Sequence, residues 1–340
     1  MPHIDYKTIL TILVLLLVDD NLEKSGFLRH ISHLTLGRIK NTPGIIMASL
    51  TITAAIAPVL TNDAALFAVL PVMRHRFAGS VPVLLIALMT AMANASSALT
   101  PIGNPQNAFL WHLKGCTFLE FVLKMLPITI VAVLIVYMVA LLLFLFRRNL
   151  FQSRVVFSIP PRAKKTECKW TESILWIGFF AAEIYFLNRD AFRFAFWLVF
   201  TASLIAWLIE KKPPLTKNSL IFLGILILMT TLPSFLVPIT VSIFSNATGT
   251  PFKDFISGVA VSQLVSNVPA AVLLSPSSKH IFKLAWGVNL GGNGLLWSSL
   301  ANLIGLRFLK KRDIKSVLEF QGVILLCGTL TIALTLLLLF

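Results

Sequence analysis

Leu60-Thr61-Asn62-Asp63 interrupts an apolar stretch running from Gly44 to Met73, with Pro58 just ahead of it. A second Asn-centred break, Ser266-Asn267-Val268-Pro269, places its Asn 205 residues after Asn62. Each limb flanking the first break is ~15 residues, roughly 22 Å of helix, well short of a hydrocarbon core of ~30 Å. The spacing therefore predicts a re-entrant hairpin over 44–76 that returns, at Arg74-His75-Arg76, to the side it left. Its polar tip sits near the bilayer midplane, where irregular backbone survives only if it lines a cavity or is buried in protein.

Each tip is followed by another polar break. The first is Ser96-Ser97-Ala98-Leu99-Thr100-Pro101-Ile102-Gly103-Asn104-Pro105-Gln106-Asn107, and the second is Gly291-Gly292-Asn293-Gly294-Leu295-Leu296-Trp297-Ser298-Ser299-Leu300-Ala301-Asn302. Asn107 and Asn302 are 195 residues apart, so a ten-residue difference between the motifs lets both pairs register. Interrupted hydrophobic segments in corresponding places of two halves point to a transporter binding site.

The rest of the chain is greasy. Hydrophobic residues make up 57% and charged residues 13%, about half the charged share of soluble domains, which is roughly 25%. Apolar runs at 125–146, 194–209, 218–237 and 316–340 are of the length that crosses a bilayer. These features predict an all-α polytopic membrane protein. The three cysteines, Cys116, Cys168 and Cys327, are scattered and odd in number, which suggests neither a disulfide framework nor a zinc site. The start of the chain lacks a cationic leader and cleavage site, and 9–18 reads as part of a first spanning helix. A net charge of +15 raises the question of nucleic acid. The basic residues instead gather in short inter-helix loops, as the positive-inside rule expects.

The layout that follows has helix one at about 5–22 and the first hairpin at 44–76. A broken helix comes next at 80–113, then a span at 117–146. A basic linker, 148–170, centres on Pro160-Pro161 and divides a first repeat (1–147) from a second (171–340). The second repeat carries helices at 171–188, 191–210 and 218–237, then a hairpin within 240–278, a broken helix at 280–309 and a span at 316–340. This path puts 21 of the 29 Lys and Arg residues on one face, in loops 23–42, 74–79, 147–170, 211–217 and 307–315. That face is expected to be cytoplasmic and the N-terminus outside. The alternation holds only if both interrupted stretches are hairpins entering from opposite sides, which makes the two halves inverted-topology repeats.

Thr61, Asn62, Ser266 and Asn267 supply hydroxyls and amides at the hairpin tips. Helix N-termini there suit an anion, and unwound carbonyls suit a cation. The bland alternative is that these residues cap short helices. Asp63 is the sharpest candidate, since a carboxylate at bilayer depth is expensive and marks function by default; in the second tip Val268 takes its place. Thr100, Gly103, Asn104 and Asn107 in the first break, and Gly292, Asn293 and Asn302 in the second, complete the candidate set. A sodium site is expected at Asn62, Asp63, Thr100 and Asn104. Glu183 reads as structural, reaching the outer interface near Arg189, and Asp19 and Asp20 read as satisfied by solvent or basic neighbours at the end of helix one. His30 and His33 lack a carboxylate cluster for a metal. Asn94 and Asn246 head glycosylation sequons, the first inside a helix. No G-x-x-x-x-G-K-[ST] loop occurs, so ATP drive within the chain is not expected.

These motifs, with Ser25-Gly26-Phe27-Leu28 after helix one, resemble the ion transporter superfamily over nearly the whole chain. The likeness is to its arsenite-pump-like, sodium/proton-antiporter-like and citrate-type anion permeases. The resemblance implies two inverted repeats, each with a re-entrant hairpin and a discontinuous helix. It also implies an elevator-like movement, with substrate and coupling ions held at Thr61, Asn62, Asp63, Ser266 and Asn267, and with Thr100, Gly103, Asn104 and Asn293 nearby. Asp63 and Val268 stand where the carboxylate carriers' motif ends in Thr, and Ser96-Ser97 where relatives have glycine-rich sequence. The expectation is a secondary active transporter, not an enzyme, in a bacterial inner (plasma) membrane. It moves a small anion by alternating access, with protons or sodium as coupling ion, the lipid bilayer as surroundings, and a homodimer among the assemblies the family admits. Sodium/proton exchange in the same fold and a non-transporting degenerate permease are the alternatives.

Overall fold

The computed structural model describes residues 6–27, 30, 39, 41–77, 81–146, 168–189, 191–211, 246–310 and 312–340, with short pieces between 213 and 231. Among these residues every regular element is helical. In chain order they are α1 (Tyr6–Lys24), α2 (Thr42–Ile56), α3 (Asn62–Arg76), α4 (Val83–Ser97), α5 (Pro105–Lys114), α6 (Phe118–Phe146), α7 (Trp170–Asn188) and α8 (Phe192–Glu210). Then come α9 (Pro251–Val265), α10 (Asn267–Leu274), α11 (Ile281–Gly291), a 3-10 turn at Leu296–Ser298, α12 (Leu300–Arg307) and α13 (Ile314–Leu339). Of the helix read over 218–237, residues 219–221, 223–225, 227–228 and 231 are described and are helical, while the rest of it, most of the 148–170 linker and 240–245 lie outside the described residues. The second interrupted stretch starts its first limb at Pro251.

The chain breaks where its sequence supplies capping chemistry. Asn41, Asn104, Thr250 and Asp313 each accept a backbone N–H from the first turn of the helix that follows. Proline occupies the first turn of α2, α5 and α9, where its missing N–H has no partner to lose. Pro105 is thus a starter for α5 as well as a barrier to continuing α4. At its far end α5 stops on Gly115, whose φ of 65° needs the freedom of glycine.

Three described helices, at 118–146, 192–209 and 314–339, are long and apolar enough to cross a membrane. The limbs α2 and α3 are 15 residues each, as their sequence length predicts. Leucine, isoleucine and aromatic side chains cover the outside of α6, α8 and α13, among them Leu119, Leu134, Trp197, Leu208, Leu318 and Leu337. An apolar exterior of this extent is stable against acyl chains and not against water.

Two bodies of helices can be distinguished by packing. α1, α7 and α8 pack on one another, and α1 also reaches α5. The remaining helices interleave. α2 lies on α4 and α9 lies on α11; α3 packs on α12 and α10 on α5; α4 packs on α13 and α11 on α6. Each of these pairs exchanges an element of the earlier half for its counterpart in the later half. The α9–α11 contact is the most extensive, and glycines make it possible. A Cβ on Gly287 would collide with the Phe255 carbonyl, and one on Gly258 would press on the backbone of Leu284 and Val288. Gly287→Val is therefore expected to cost about 2 kcal/mol by overpacking, read as a fall of several degrees in the melting temperature of the detergent-purified protein. A variant melting with the unsubstituted protein would show that the two helices do not approach this closely.

Candidate functional site

Four helices begin around one point. A small cavity of about 20 Å³ is lined by Asn62 and Asp63 from the start of α3, Pro105 and Gln106 from α5, Asn267 and Val268 from α10, and Leu300 from α12, together with Ser266 and Ser299 just before the last two. That volume is room for about one water molecule. Helix N-termini carry unpaired N–H groups and the positive end of the dipole, so four of them aimed at one cavity favour a negative occupant.

The capping is uneven. Thr61 accepts the Ala64 N–H at 3.2 Å and Asn104 accepts the Asn107 N–H at 3.0 Å, so in the earlier half the bland reading of these residues as caps holds. In the later half, neither α10 nor α12 has a side-chain cap. The Ser266 hydroxyl instead donates to the Ser298 carbonyl, and the Ser299 hydroxyl donates to Asn94. Ser266 also holds φ 78° and ψ 159°, a conformation that residues with side chains rarely adopt.

Behind the tips lies a lattice of buried amides. Asn94 of α4 donates to Asn302 Oδ1 at 2.9 Å and accepts from Ser299 Oγ at 3.0 Å. Asn289 of α11 donates to Asn107 Oδ1 at 2.6 Å and accepts from Asn104 Nδ2 at 2.9 Å. Asn302 Nδ2 reaches the carbonyls of Gly292 and Leu295, while Asn107 Nδ2 reaches those of Ser97 and Thr100. One offset, 195 residues, carries every member of the first set onto the second. Asn62 Nδ2 joins the lattice through Asn94 Oδ1 at 3.2 Å, and Asn293 through both Asn94 and the Ala91 carbonyl.

A larger cavity of about 250 Å³ adjoins the small one and shares Asp63, Ile225 and Leu300 with it. Its walls carry four carboxylates, Asp19, Asp20 and Glu23 of α1 and Asp63 of α3, against one basic residue, Arg307. Here two expectations from the sequence fail. Asp19 and Asp20 are buried, not solvated. Asp20 is satisfied by Thr216 N at 2.6 Å and Ser219 Oγ at 2.7 Å. Asp19 receives one long contact, from the Thr61 hydroxyl at 3.5 Å, and its Oδ1 has no partner among the described residues. Glu183 does not reach Arg189 at the interface. It is fully buried, both carboxylate oxygens are without a hydrogen-bond partner among the described residues, and the Arg189 guanidinium lies over the Tyr185 ring instead. A residue's place along a helix does not determine which neighbours from other helices cover it.

The residues proposed from sequence thus divide into two layers. Thr61, Asn62, Asp63, Ser266 and Asn267 face the two cavities. Thr100, Gly103, Asn104, Asn107, Gly292, Asn293 and Asn302 stand behind, holding the tips. Thr100 donates to the Pro58 carbonyl, and the Gly103 carbonyl accepts the Asn62 N–H at 3.0 Å. A Cβ at Gly103 would strike the Ser97 backbone. Of the four residues expected to hold sodium, Asn62 and Asp63 line the small cavity, whereas Thr100 and Asn104 do not. Asn94, Asn289 and Gln106, whose Nε2 lies 3.3 Å from Asn289 Oδ1, were not singled out for the site. The 195-residue offset, carried back from Asn107 and Asn302, would have paired Asn94 with Asn289.

Comparison with known proteins bears on the chain as a whole. The citrate transporter family model matches residues 1–301. An uncharacterized transporter of Methanocaldococcus jannaschii is 31% identical over 310 residues, covering 89% of this chain and 81% of its own. The inner membrane protein YbiR of Escherichia coli is 30% identical over 323 residues, covering 92% and 82%. The silicon efflux transporter LSI3 of rice, Oryza sativa, is 32% identical over 116 residues, 33% of this chain and 24% of its own. The chain belongs to the citrate transporter family and is an integral membrane transporter, not an enzyme.

Proposed function

We propose that this chain is a secondary active transporter that carries a small, oxygen-rich anion between two re-entrant hairpin tips, with Asp63 as the coupling charge for protons or sodium. The observation that carries the reading is the convergence of four helix N-termini on one polar cavity, two of them without a side-chain cap. Citrate, in the family description, is an oxygen-rich anion of this class. Because the small cavity holds about one water, a solute of several heavy atoms enters only when the tips part.

The 195-residue correspondence of hydrogen bonds, and the exchange of packing partners between halves, support two inverted repeats closing on each other. Glu23, Thr216 and Arg307 lie in the loops expected on the cytoplasmic face, which supports a larger cavity that opens to that side. Alternating access would then swing the paired hairpins and broken helices against α1, α7 and α8.

In proteoliposomes, Asn62→Ala and Asn267→Ala are each expected to lower anion uptake at least tenfold, about 1.4 kcal/mol or more of lost binding. Both variants should still purify as monodisperse protein. Wild-type uptake in both variants would point to a degenerate permease and sink the proposal. A sodium/proton exchanger has one observation in its favour, the four carboxylates around the larger cavity. It predicts sodium-driven proton movement with no anion present.

A further inference from the structure

Val268 takes, in the second tip, the place that Asp63 holds in the first, and the packing around it accounts for the exchange. It belongs to a small apolar cluster with Ile12 and Leu16 of α1 and Ala108 of α5, set apart from the main core. All four side chains are buried, at 7% exposure or less. The cluster is the layer next to the site on two helices at once. On α5, Pro105 and Gln106 line the small cavity, Ala108 lies in the cluster, and His112 follows one turn later. On α1, Asp19 and Leu16 line the larger cavity, Ile12 lies one turn back, and Thr11 precedes it. The two paths meet where Thr11 Oγ1 and His112 Nε2 share a hydrogen bond of 3.0 Å. Glu23, which also lines the larger cavity, is about 18 Å further along α1 than Thr11. The cluster and the hydrogen bond therefore lie on the side of the tips away from the larger cavity.

We propose that Ile12, Leu16, Ala108 and Val268 form an apolar seal, latched by the Thr11–His112 hydrogen bond, that closes the site on the side opposite the larger cavity. A dry apolar constriction stops water and ions without binding them. The tip that meets α1 at the seal therefore carries valine, while the tip that borders the larger cavity carries a carboxylate. A carboxylate at 268 would be stranded among Ile12, Leu16 and Ala108, a costly burial without a partner. α1 packs on α7 and α8, whereas α5 packs on α10 and α11. The seal thus lies between the two bodies of helices and opens when they part. Leu215 and Leu223, from the chain that follows α8, pack against it. It requires that the tips enclose a site, and no property of the solute or of a coupling ion enters.

The test follows access and needs no solute. In the full chain with Cys116, Cys168 and Cys327 replaced by alanine, Leu300→Cys places a thiol on the wall shared by the two cavities. A membrane-impermeant maleimide is applied to vesicles from one face or the other, and the labelling rates are compared. With the seal intact, the thiol should react faster from the face of the larger cavity than from the opposite face. Thr11→Val removes the latch. It should raise labelling from the opposite face about fivefold, the shift that one net hydrogen bond supports, and leave labelling from the larger-cavity face no faster. Thr11→Ser, which keeps the hydroxyl, should restore the parent rates. If Thr11→Val does not purify as a single species, Ile12→Ala is read in the same way. Equal labelling of the parent from both faces overturns the seal. So do unchanged rates in the variant, or rates raised from both faces, which is the mark of a loosened fold. Failure of the anion reading would look different. Asn62→Ala would then transport normally while the one-sided labelling persisted.

Discussion

Asn94→Ala is expected to lower the melting temperature by roughly 5–10 °C and to remove transport, although Asn94 lines neither cavity. Its amide is the one donor recorded for the side-chain carbonyls of both Asn302 and Asn293, and its own carbonyl receives Asn62 and Ser299. Truncation strands several of these groups in a region sealed from water. At about 1–3 kcal/mol for each orphaned group, partly relieved by relaxation, the loss is on the order of 3–5 kcal/mol. That is a large share of a typical folding free energy. The mirrored variant makes the argument sharper. Asn289 sits in the equivalent lattice, donating to Asn107 and accepting from Asn104 and Gln106. Asn289→Ala should therefore destabilise by a similar amount, as measured by thermal unfolding in the same detergent. If one variant is neutral and the other severe, the two halves are not energetic counterparts and the inverted-repeat reading loses its main support.

What could be read from the chain beforehand follows a physical line. Break positions were legible because Asn, Pro and Gly act locally: Asn104-Pro105 caps and starts a helix wherever it occurs. Limb length was legible because Asn41-Thr42-Pro43, Pro58 and Asn62 mark where helices start and stop, and α2 and α3 are 15 residues each. Both tips reached one cavity as their paired motifs suggested. Asn94 was hidden for a different reason. It lies in the middle of α4, with no Pro or Gly to announce a break, and its partners are some 200 residues away. Asp19 was hidden too, since only the packing of α7 and α8 against α1 decides that a carboxylate near a helix end is buried. Long-range burial leaves no local signature, and the acids whose chemistry depends on it, Asp19 and Glu183, were the ones misread.

Asp63→Asn should separate the two activities that a coupled transporter combines. The amide keeps the size of the carboxylate and keeps the Asp63 N–H bonded to Asn62 Oδ1, so the α3 start and the anion cradle should survive. The negative charge goes, and with it the reason for a cation to travel with the solute. In proteoliposomes loaded with labelled anion, exchange against external anion is expected to continue within a few fold of the unsubstituted rate. Accumulation against a gradient should collapse to equilibrium. A tenfold cation gradient supplies about 1.4 kcal/mol per coupled ion, enough for tenfold accumulation at one-to-one coupling, so the collapse is readily measured. A variant that loses exchange and accumulation together would make Asp63 part of the anion cradle or of the fold. A variant that still accumulates tenfold would move the coupling charge elsewhere, with Asp19 a buried carboxylate on the same cavity. Only exchange without accumulation fits a carboxylate that borders both cavities and answers the cation alone.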